Sequence, residues 1–419
     1  MKLLVFAHTP PPHHGQSYMV KLMLDGLGGD RRRAAPGSPP PTDIECYHVN
    51  CRYSDNFEDI GSYRLEKMFL VLRYCLEAIW CRFRYGVRAF YYVPAPGKRA
   101  ALYRDWVVML LCRPFFRDFI HHWEAVGLGD WLNSEGNWFE RWVTHRLLGR
   151  STVGVSLAIP SMRDALWFRS RYAEVVANGI PDPCPDFETA ILPRRRARLA
   201  ARLRLQAGQP LADADRIAAG GDPEILDVLY LAHCSRDKGL FDAVDGVLAA
   251  NKALQIQSSA LRFRLTVAGG FLEAAEEQEF QASIAAHSTA IRYAGFVSGE
   301  AKAVLLASSD AFCFPTYYPA EGQPVCLIEA IAYGLPIVTT RWRAIPEILP
   351  PDYAGFVAQR SPAQVATALV AAAVEDGAGL REHFLARYTL EKYVRGLRDA
   401  FRIVEAAVQD QEPVAPVAS

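Results

Sequence analysis

The sequence lacks a net charge and lacks paired cysteines. Its 419 residues include 46 Lys and Arg against 46 Asp and Glu, so the formal net charge is zero and a nucleic acid partner is not indicated. The nine cysteines are odd in number and contain no Cys-x-x-Cys pair. We therefore expect neither a disulfide framework nor a structural zinc site, and we expect a reducing, cytoplasmic compartment.

Apolar runs long enough to span a membrane are also lacking. The first run, Leu3 to Ala7, is too short for a signal peptide and predicts a buried strand. The stretch from Phe69 to Tyr92 is rich in aromatic residues and Leu, but charged residues such as Arg73 interrupt it. We expect an amphipathic helix packed on a sheet there. Peripheral contact with an anionic membrane, at the inner face of the cell membrane, is the alternative.

Arginines are concentrated in three stretches, Arg31 to Arg33, Arg82 to Arg88 and Arg194 to Arg204. They are expected in solvated loops and on solvated helix faces, with contact to anionic lipid headgroups or an anionic acceptor as the alternative. The third stretch predicts a basic helix, followed by a mobile loop over residues 207–224.

Short apolar runs alternate with amphipathic stretches along most of the chain. This rhythm is typical of βαβ units, and 419 residues exceed one ordinary core, so we predict an α/β protein with two Rossmann-like, doubly wound parallel-sheet domains. The predicted domains are 1–182 and 183–388, with a hinge beside Pro181, Pro183 and Pro185. A helix at 389–408 and a disordered tail at 409–419 follow. Ligand sites are expected at the carboxyl ends of the strands.

The segment from Asp310 to Thr340 carries the clearest chemical pattern. A strand leads into a loop that contains Gly322 and Pro324, and a helix follows. The first N–H groups of that helix lack partners within it, so its start is suited to a phosphate. Glu321 and Glu329 bracket this start, and each can accept hydrogen bonds from a pair of hydroxyl groups. A surface acid and a salt-bridged helix residue are the structural alternatives.

The run EGQPVCLIEAIAYGLPIVTT resembles the E-x7-E signature of retaining glycosyltransferases of family four, which have the GT-B fold. The matching positions are Glu321, Gly322, Pro324, Glu329, Ala330, Ala332, Gly334 and Pro336, and RAIPEIL is also similar through Pro346 and Glu347. The resemblance implies two domains that face a cleft and a C-terminal helix that crosses back to the N-terminal domain. It also implies that Gln323 and Val325 lie beside the donor at the helix start.

Upstream segments extend the resemblance. In LYLAHCSRDKGLFDAV, Lys238 matches the lysine that neutralises the donor diphosphate, whereas His233 stands where the family has Arg. Arg236 is a candidate to compensate for that departure. In LTVAGGF and YAGFVS, the resemblance implies a glycine turn at Gly269 and a base pocket near Phe296 and Val297.

The N-terminal half resembles the family in two loops. Gly15 occupies the place of a glycine turn that borders the donor phosphates. In FIHHWEAVG, the resemblance implies that a histidine lies near the reacting carbon. Either His121 or His122 can take this place, but not both, because neighbouring side chains of a strand point to opposite faces. Glu124 is a further candidate, and hydrogen-bonded structural histidines are the alternative.

The resemblance implies a retaining transfer of a sugar from a nucleotide-diphosphate sugar to a glycan or lipid-linked acceptor, in surface polysaccharide assembly. Lys238 and the helix start would stabilise the leaving diphosphate, with Glu321 on the sugar. No cofactor is expected, and no metal is strictly required, because no Asp-x-Asp motif is placed to hold one. A sugar-nucleotide epimerase and a non-catalytic sugar-nucleotide-binding protein are the alternatives.

Overall fold

The computed structural model describes residues 1–11, 15–35, 38–40, 42–53 and 65–409. They divide into two compact units. Unit 1 comprises residues 1–179 and the segment from Leu390 onward, and unit 2 comprises Ile180–Thr389. Within the described ranges, no helix has the length and apolar character needed to cross a membrane.

Unit 1 alternates strands and helices. Its strands are β1 (Lys2–Ala7), β2 (Glu45–Asn50), β3 (Ala89–Tyr92), β4 (Asp118–Trp123), β5 (Val153–Ser156) and β6 (Tyr172–Val175). Its helices up to residue 179 are α1 (Gly15–Gly26), α2 (Leu65–Tyr85), α3 (Arg99–Cys112), α4 (Leu128–Ser134), α5 (Trp138–Leu148) and α6 (Met162–Trp167). The six strands form one parallel sheet in the order β2-β1-β3-β4-β5-β6.

Unit 2 repeats this alternation. Its strands are β7 (Ile225–Leu231), β8 (Arg262–Ala268), β9 (Ile291–Gly295), β10 (Ala311–Phe314), β11 (Ile337–Thr340) and β12 (Phe356–Val357). Its helices are α7 (Leu192–Gln206), α8 (Asp213–Ala219), α9 (Leu240–Ile256), α10 (Ala274–Ala286), α11 (Gly299–Ser308), α12 (Val325–Ala332), α13 (Pro362–Ala372) and α14 (Ala378–Arg387). The last helix of the chain, α15 (Leu390–Gln409), packs on α1 and β5 of unit 1.

The order of the sheet in unit 2 places its ligand-binding edge. The strands run β12-β11-β10-β7-β8-β9, all parallel, so the chain moves outward from β7 in one direction and returns to start again at β10. Ligands of open α/β sheets bind beyond the carboxyl ends of the strands at such a switch point. The loops after β7 and β10 are therefore the place to look for a site in unit 2.

The prediction of two doubly wound parallel sheets is confirmed. One detail differs, because the predicted mobile loop at 207–224 contains α8. Helix α5 begins at Trp138, where the Asn137 side chain accepts a hydrogen bond from the Glu140 backbone N–H. Most of the predicted disordered tail, from residue 410, lies outside the described residues.

The expectation that the arginines of α7 are solvated is wrong for three of them, whereas Arg196 and Arg204 are exposed as expected. Arg195, Arg198 and Arg202 recur at helical spacing and are all buried. The Asp310 carboxylate accepts hydrogen bonds from Arg198 at 3.0 Å and from Arg202 at 2.7 Å, and the Gly334 carbonyl accepts one from Arg195 at 2.6 Å. This stripe fastens α7 to the strands and loops of unit 2, because buried guanidinium groups require partners.

Candidate functional site

Three polar side chains meet where the loops after β7 and β10 come together. Nζ of Lys238 donates to both carboxylate oxygens of Glu321, at 3.1 and 2.8 Å, although the two residues are 83 positions apart. Oγ1 of Thr316 donates to Glu321 at 2.9 Å. Lys238 and Glu321 retain only 17% and 7% of their side-chain exposure. This cluster lies at the switch point of the sheet.

Backbone contacts hold the loop after β7 against the loop after β10. The Tyr317 N–H donates to the Asp237 carbonyl at 2.8 Å. Gly239 begins α9 with φ of 78°, and a Cβ atom there would lie 2.4 Å from the Pro315 carbonyl oxygen. Only glycine allows this close approach together with a positive φ, so Gly239 lets the Lys238 loop lie directly against the Glu321 loop.

Lys238 is held as a cation. Burial by itself would lower the pKa of its ammonium group, but the Glu321 carboxylate outweighs that effect and holds the pKa above its ordinary value. The ammonium also lies 4.4 Å from the centroid of the Tyr318 ring. A charged lysine that is held in place beside the loop leading into α12 is suited to bind an anionic ligand group.

Helix α12 supplies the second carboxylate. Leu327, Ile328, Ala330 and Ile331 are fully buried, so the helix is packed tightly and cannot turn. Glu329 is the one acid in this apolar helix and is itself only 9% exposed. Lys302, on α11, forms an ion pair with it at 2.5 Å. A buried acid in such a helix is costly unless it is paired, and its position is therefore fixed.

The start of α12 is formed without a capping side chain. Pro324 is the N-cap residue and makes no side-chain cap. Glu321, Gly322 and Gln323 precede it and are buried, whereas Val325 is half-buried. The first N–H groups of the helix thus have no capping side chain from the N-cap, which leaves the geometry that binds an anion.

The two residues expected to assist Lys238 are placed differently. Burial, reinforced by the Lys238 charge, lowers the pKa of His233, so its imidazole is neutral at pH 7. The Arg236 guanidinium donates to Glu279 at 2.6 Å and lies 4.3 Å from the centroid of the Phe241 ring. Arg236 is thus directed to α10, and Lys238 is the cation that contacts Glu321.

The predicted base-pocket residues lie on neighbouring loops of unit 2. Gly269 follows β8, and a Cβ atom there would lie 1.7 Å from the Ala232 carbonyl oxygen, so the β8 loop depends on this glycine to approach the β7 loop. Phe296 and Val297 follow β9 directly, and Phe296 is 56% exposed. Their contact with a base stays a prediction.

The predicted residues of unit 1 lie on two elements, helix α1 and strand β4. Gly15 is the exposed first residue of α1. His121 and His122 are adjacent on β4 and fully buried, and burial lowers the pKa of each imidazole to about 3. The His121 ring lies among core aromatic rings, 5.9 Å from Trp123 and 6.2 Å from Phe119 between centroids. Both ring nitrogens of His121 are buried without a hydrogen-bond partner in the structure, so His121 is a core residue but not the hydrogen-bonded histidine of the structural alternative.

His122 belongs to a buried polar cluster at the end of β4. Its Nδ1 lies 2.6 Å from the Tyr91 hydroxyl and 3.9 Å from Oε1 of Glu124. Burial raises the pKa of Glu124 to about 8, so the carboxyl is protonated at neutral pH and can donate a hydrogen bond. Oε1 of Glu124 and the hydroxyl of Tyr393, on α15, are buried without a hydrogen-bond partner in the structure. Of the two histidines, His122 is the one with a side-chain hydrogen-bond partner in the structure.

Part of the chain is similar in sequence to known glycosyltransferases. Residues 228–374 match the family model described as glycosyl transferases group 1. The chain is 27% identical over 153 residues to the putative colanic acid biosynthesis glycosyltransferase WcaL of Escherichia coli K12, which covers 35% of this chain and 36% of that protein. The chain therefore aligns with about a third of the length of this curated relative.

Solved structures match over nearly the whole chain. Sucrose-phosphate synthase of Thermosynechococcus elongatus superposes with a TM-score of 0.64 at 16% identity, over 97% of this chain and 100% of that chain. Anabaena HepE in complex with UDP gives a TM-score of 0.60 at 14% identity, over 96% and 100%. These matches show the fold, and the predicted GT-B architecture is confirmed.

Thr316, Tyr318 and Lys302 contact the predicted residues but were not predicted themselves. Thr316 and Tyr318 lie in the same loop as Glu321, and that proximity was the one available signal. Lys302 reaches Glu329 across 27 residues, which no local pattern reveals. Within the part of the chain that the structure describes, no three His, Cys, Asp or Glu residues are grouped to hold a metal ion.

Proposed function

We propose that this protein is a retaining glycosyltransferase of the family-four type that uses a nucleotide-diphosphate sugar as donor. The acceptor is a glycan or a lipid-linked glycan in surface polysaccharide assembly. The group 1 family match over residues 228–374 and the likeness to a colanic acid biosynthesis protein support the activity and the setting. The UDP bound to the structural relative HepE supports a nucleotide donor.

The observation that carries the proposal is the Lys238–Glu321 pair at the start of α12. A donor diphosphate carries negative charge, and the site offers a fixed ammonium group and a helix start within one loop cluster. In the structure, Glu321 neutralises Lys238. When the donor diphosphate binds the Lys238 ammonium group, Glu321 becomes available to accept hydrogen bonds from the sugar hydroxyls. Glu329 accepts hydrogen bonds from the ribose diol.

The chemistry assigned to the chain is electrostatic. As the bond between the sugar and the diphosphate breaks, negative charge grows on the leaving phosphate oxygens. Lys238 and the N–H groups at the start of α12 stabilise that charge without reorganisation, because packing has already fixed them. The oxygen of the acceptor hydroxyl then bonds to the anomeric carbon on the face that the diphosphate left, and the hydroxyl proton is transferred to the leaving phosphate oxygen. Attack on that face retains the anomeric configuration.

Thermal-shift and calorimetric titration with UDP, GDP and ADP test donor binding, because a ligand of the folded state raises apparent stability. One nucleotide should bind the native protein. Glu329→Gln and Lys238→Ala should weaken that binding at least about tenfold, as expected for a lost charge-assisted hydrogen bond. Lys252→Ala removes an exposed lysine of α9 and is the matched control, which should bind as the native protein does.

Lys238→Ala leaves Glu321 buried without its cation, so circular dichroism must first show that the variant is folded. Lys238→Arg, which keeps the charge, should recover part of the binding. Product analysis by NMR should then show transfer with the anomeric configuration of the donor. The proposal is wrong if the native protein binds none of the three nucleotides. It is also wrong if Glu329→Gln and Lys238→Ala both bind the nucleotide as tightly as the native protein does. Conversion of the donor without an acceptor would identify an epimerase instead.

A further inference from the structure

Helix α2 of unit 1 carries apolar side chains on two opposite faces. Val71, Cys75 and Ala78 are buried against the core of the unit. The second face consists of Phe69, Leu72, Leu76, Trp80 and Phe83, spaced by 3, 4, 4 and 3 residues, and all five are exposed. We call these five residues the apolar stripe. At 3.6 residues per turn they share one side of the helix over a length of roughly 21 Å.

The exposure of the stripe is unusual for a surface helix. Phe69 is 72% exposed, Leu76 67% and Phe83 69%. An ordinary surface helix places polar residues on the face opposite its core contacts. Contiguous exposed apolar surface of this kind marks an interaction site in a folded protein. Leu110 on α3 and Phe115 after it are also exposed, and the ring of Phe115 lies 6.0 Å from that of Phe83.

The charges beside the stripe have one sign. Among the α2 side chains from Met68 to Tyr85, the exposed charged ones are Arg73 and Arg84, whereas Glu77 is half-buried and paired with Arg32. The stripe is followed by exposed Arg88. Aromatic and Leu side chains flanked by arginines are the composition of helices that lie in the headgroup region of a membrane.

We propose that unit 1 docks on an anionic lipid bilayer through the apolar stripe, with Arg73 and Arg84 at the lipid headgroups. A bilayer fits better than a second copy of this chain. A twofold dimer through the stripe would bring Arg73 and Arg84 of both copies to one interface, where like charges oppose association. A bilayer supplies both an apolar interior for the stripe and negative headgroups for its flanks.

Vesicle flotation with the full chain tests the proposal. Neither this membrane-docking proposal nor its test depends on the proposed function. The native protein should float with vesicles of phosphatidylcholine that contain phosphatidylglycerol, and less with phosphatidylcholine alone or at high salt. The triple variant Phe69→Ser/Leu76→Ser/Trp80→Ser should lose at least about a hundredfold in affinity, because three side chains no longer leave water. Arg73→Gln and Arg84→Gln should each lose about fivefold on the anionic vesicles.

The double variant Ile217→Ser/Ile256→Ser is the matched control, because both residues are more than three-quarters exposed but lie in unit 2. It should bind vesicles as the native protein does. Thermal melts should be unchanged in every variant, since the replaced side chains are already exposed. Failure of the native protein to float, or equal flotation of the triple variant, overturns the proposal. A native dimer that the triple variant dissociates, with no vesicle binding, also overturns it in favour of self-association.

Discussion

Replacing Glu124 with Gln should remove a large part of the pH dependence of the stability of this protein. Burial raises the pKa of the Glu124 carboxyl from 4.5 to about 8 in the folded state. The unfolded chain releases this proton near pH 4.5, whereas the folded protein keeps it until near pH 8. The folded state therefore binds more protons between these values, and its free energy of unfolding falls as pH rises through that window.

The magnitude follows from the difference in pKa. The contribution of Glu124 to the free energy of unfolding should decrease by about 1.4 kcal/mol for each pH unit between about pH 5 and pH 7.5. Over the whole window it should decrease by about 4 to 5 kcal/mol. Glutamine has the same shape and does not titrate. The stability of Glu124→Gln should thus match that of the native protein near pH 5 and exceed it increasingly towards pH 8.

Urea denaturation monitored by fluorescence at several pH values measures this difference, because the other titrating groups are common to both proteins. Glu135→Gln, an exposed acid on the same unit, should keep the native profile. Parallel curves for the native protein and Glu124→Gln would refute the reasoning. That result would mean that the carboxylate is ionised and paired with a protonated His122, whose Nδ1 lies 3.9 Å away.

Two further substitutions test packing in unit 2 by the same assay. Asp310→Asn removes the carboxylate that buried Arg198 and Arg202 share, although Arg198 keeps Asp227 at 4.0 Å, and should cost about 3 kcal/mol. Loss of the exposed Glu279–Arg236 pair in Glu279→Gln should cost less than about 1 kcal/mol. Gly269→Ala places a Cβ atom 1.7 Å from the Ala232 carbonyl oxygen and should destabilise by about 2 kcal/mol or more. Gly270→Ala, which meets nothing within 4 Å, should be nearly neutral, and equal effects at Gly269 and Gly270 would contradict the argument.

The sequence by itself determined the two parallel sheets and the segment that forms the candidate site. Strand and helix periodicities are local, so the apolar runs that became β7 and β10 could be recognised without knowledge of their neighbours. The loop that contains Glu321 and the helix that contains Glu329 were also recognisable, because their spacing within one strand–loop–helix unit is a property of the chain itself.

The tertiary structure alone decided which distant side chains meet and which faces are covered. The pairing of Lys238 with Glu321 depends on two loops brought together by the strand order, and that of Lys302 with Glu329 joins residues of two different helices, α11 and α12. Residue type did not predict that three arginines of α7 are buried or that the apolar stripe of α2 is exposed. Burial depends on what the rest of the chain places opposite each face of a helix. Sequence patterns report the period of a helix, but only packing reports which side of it meets water.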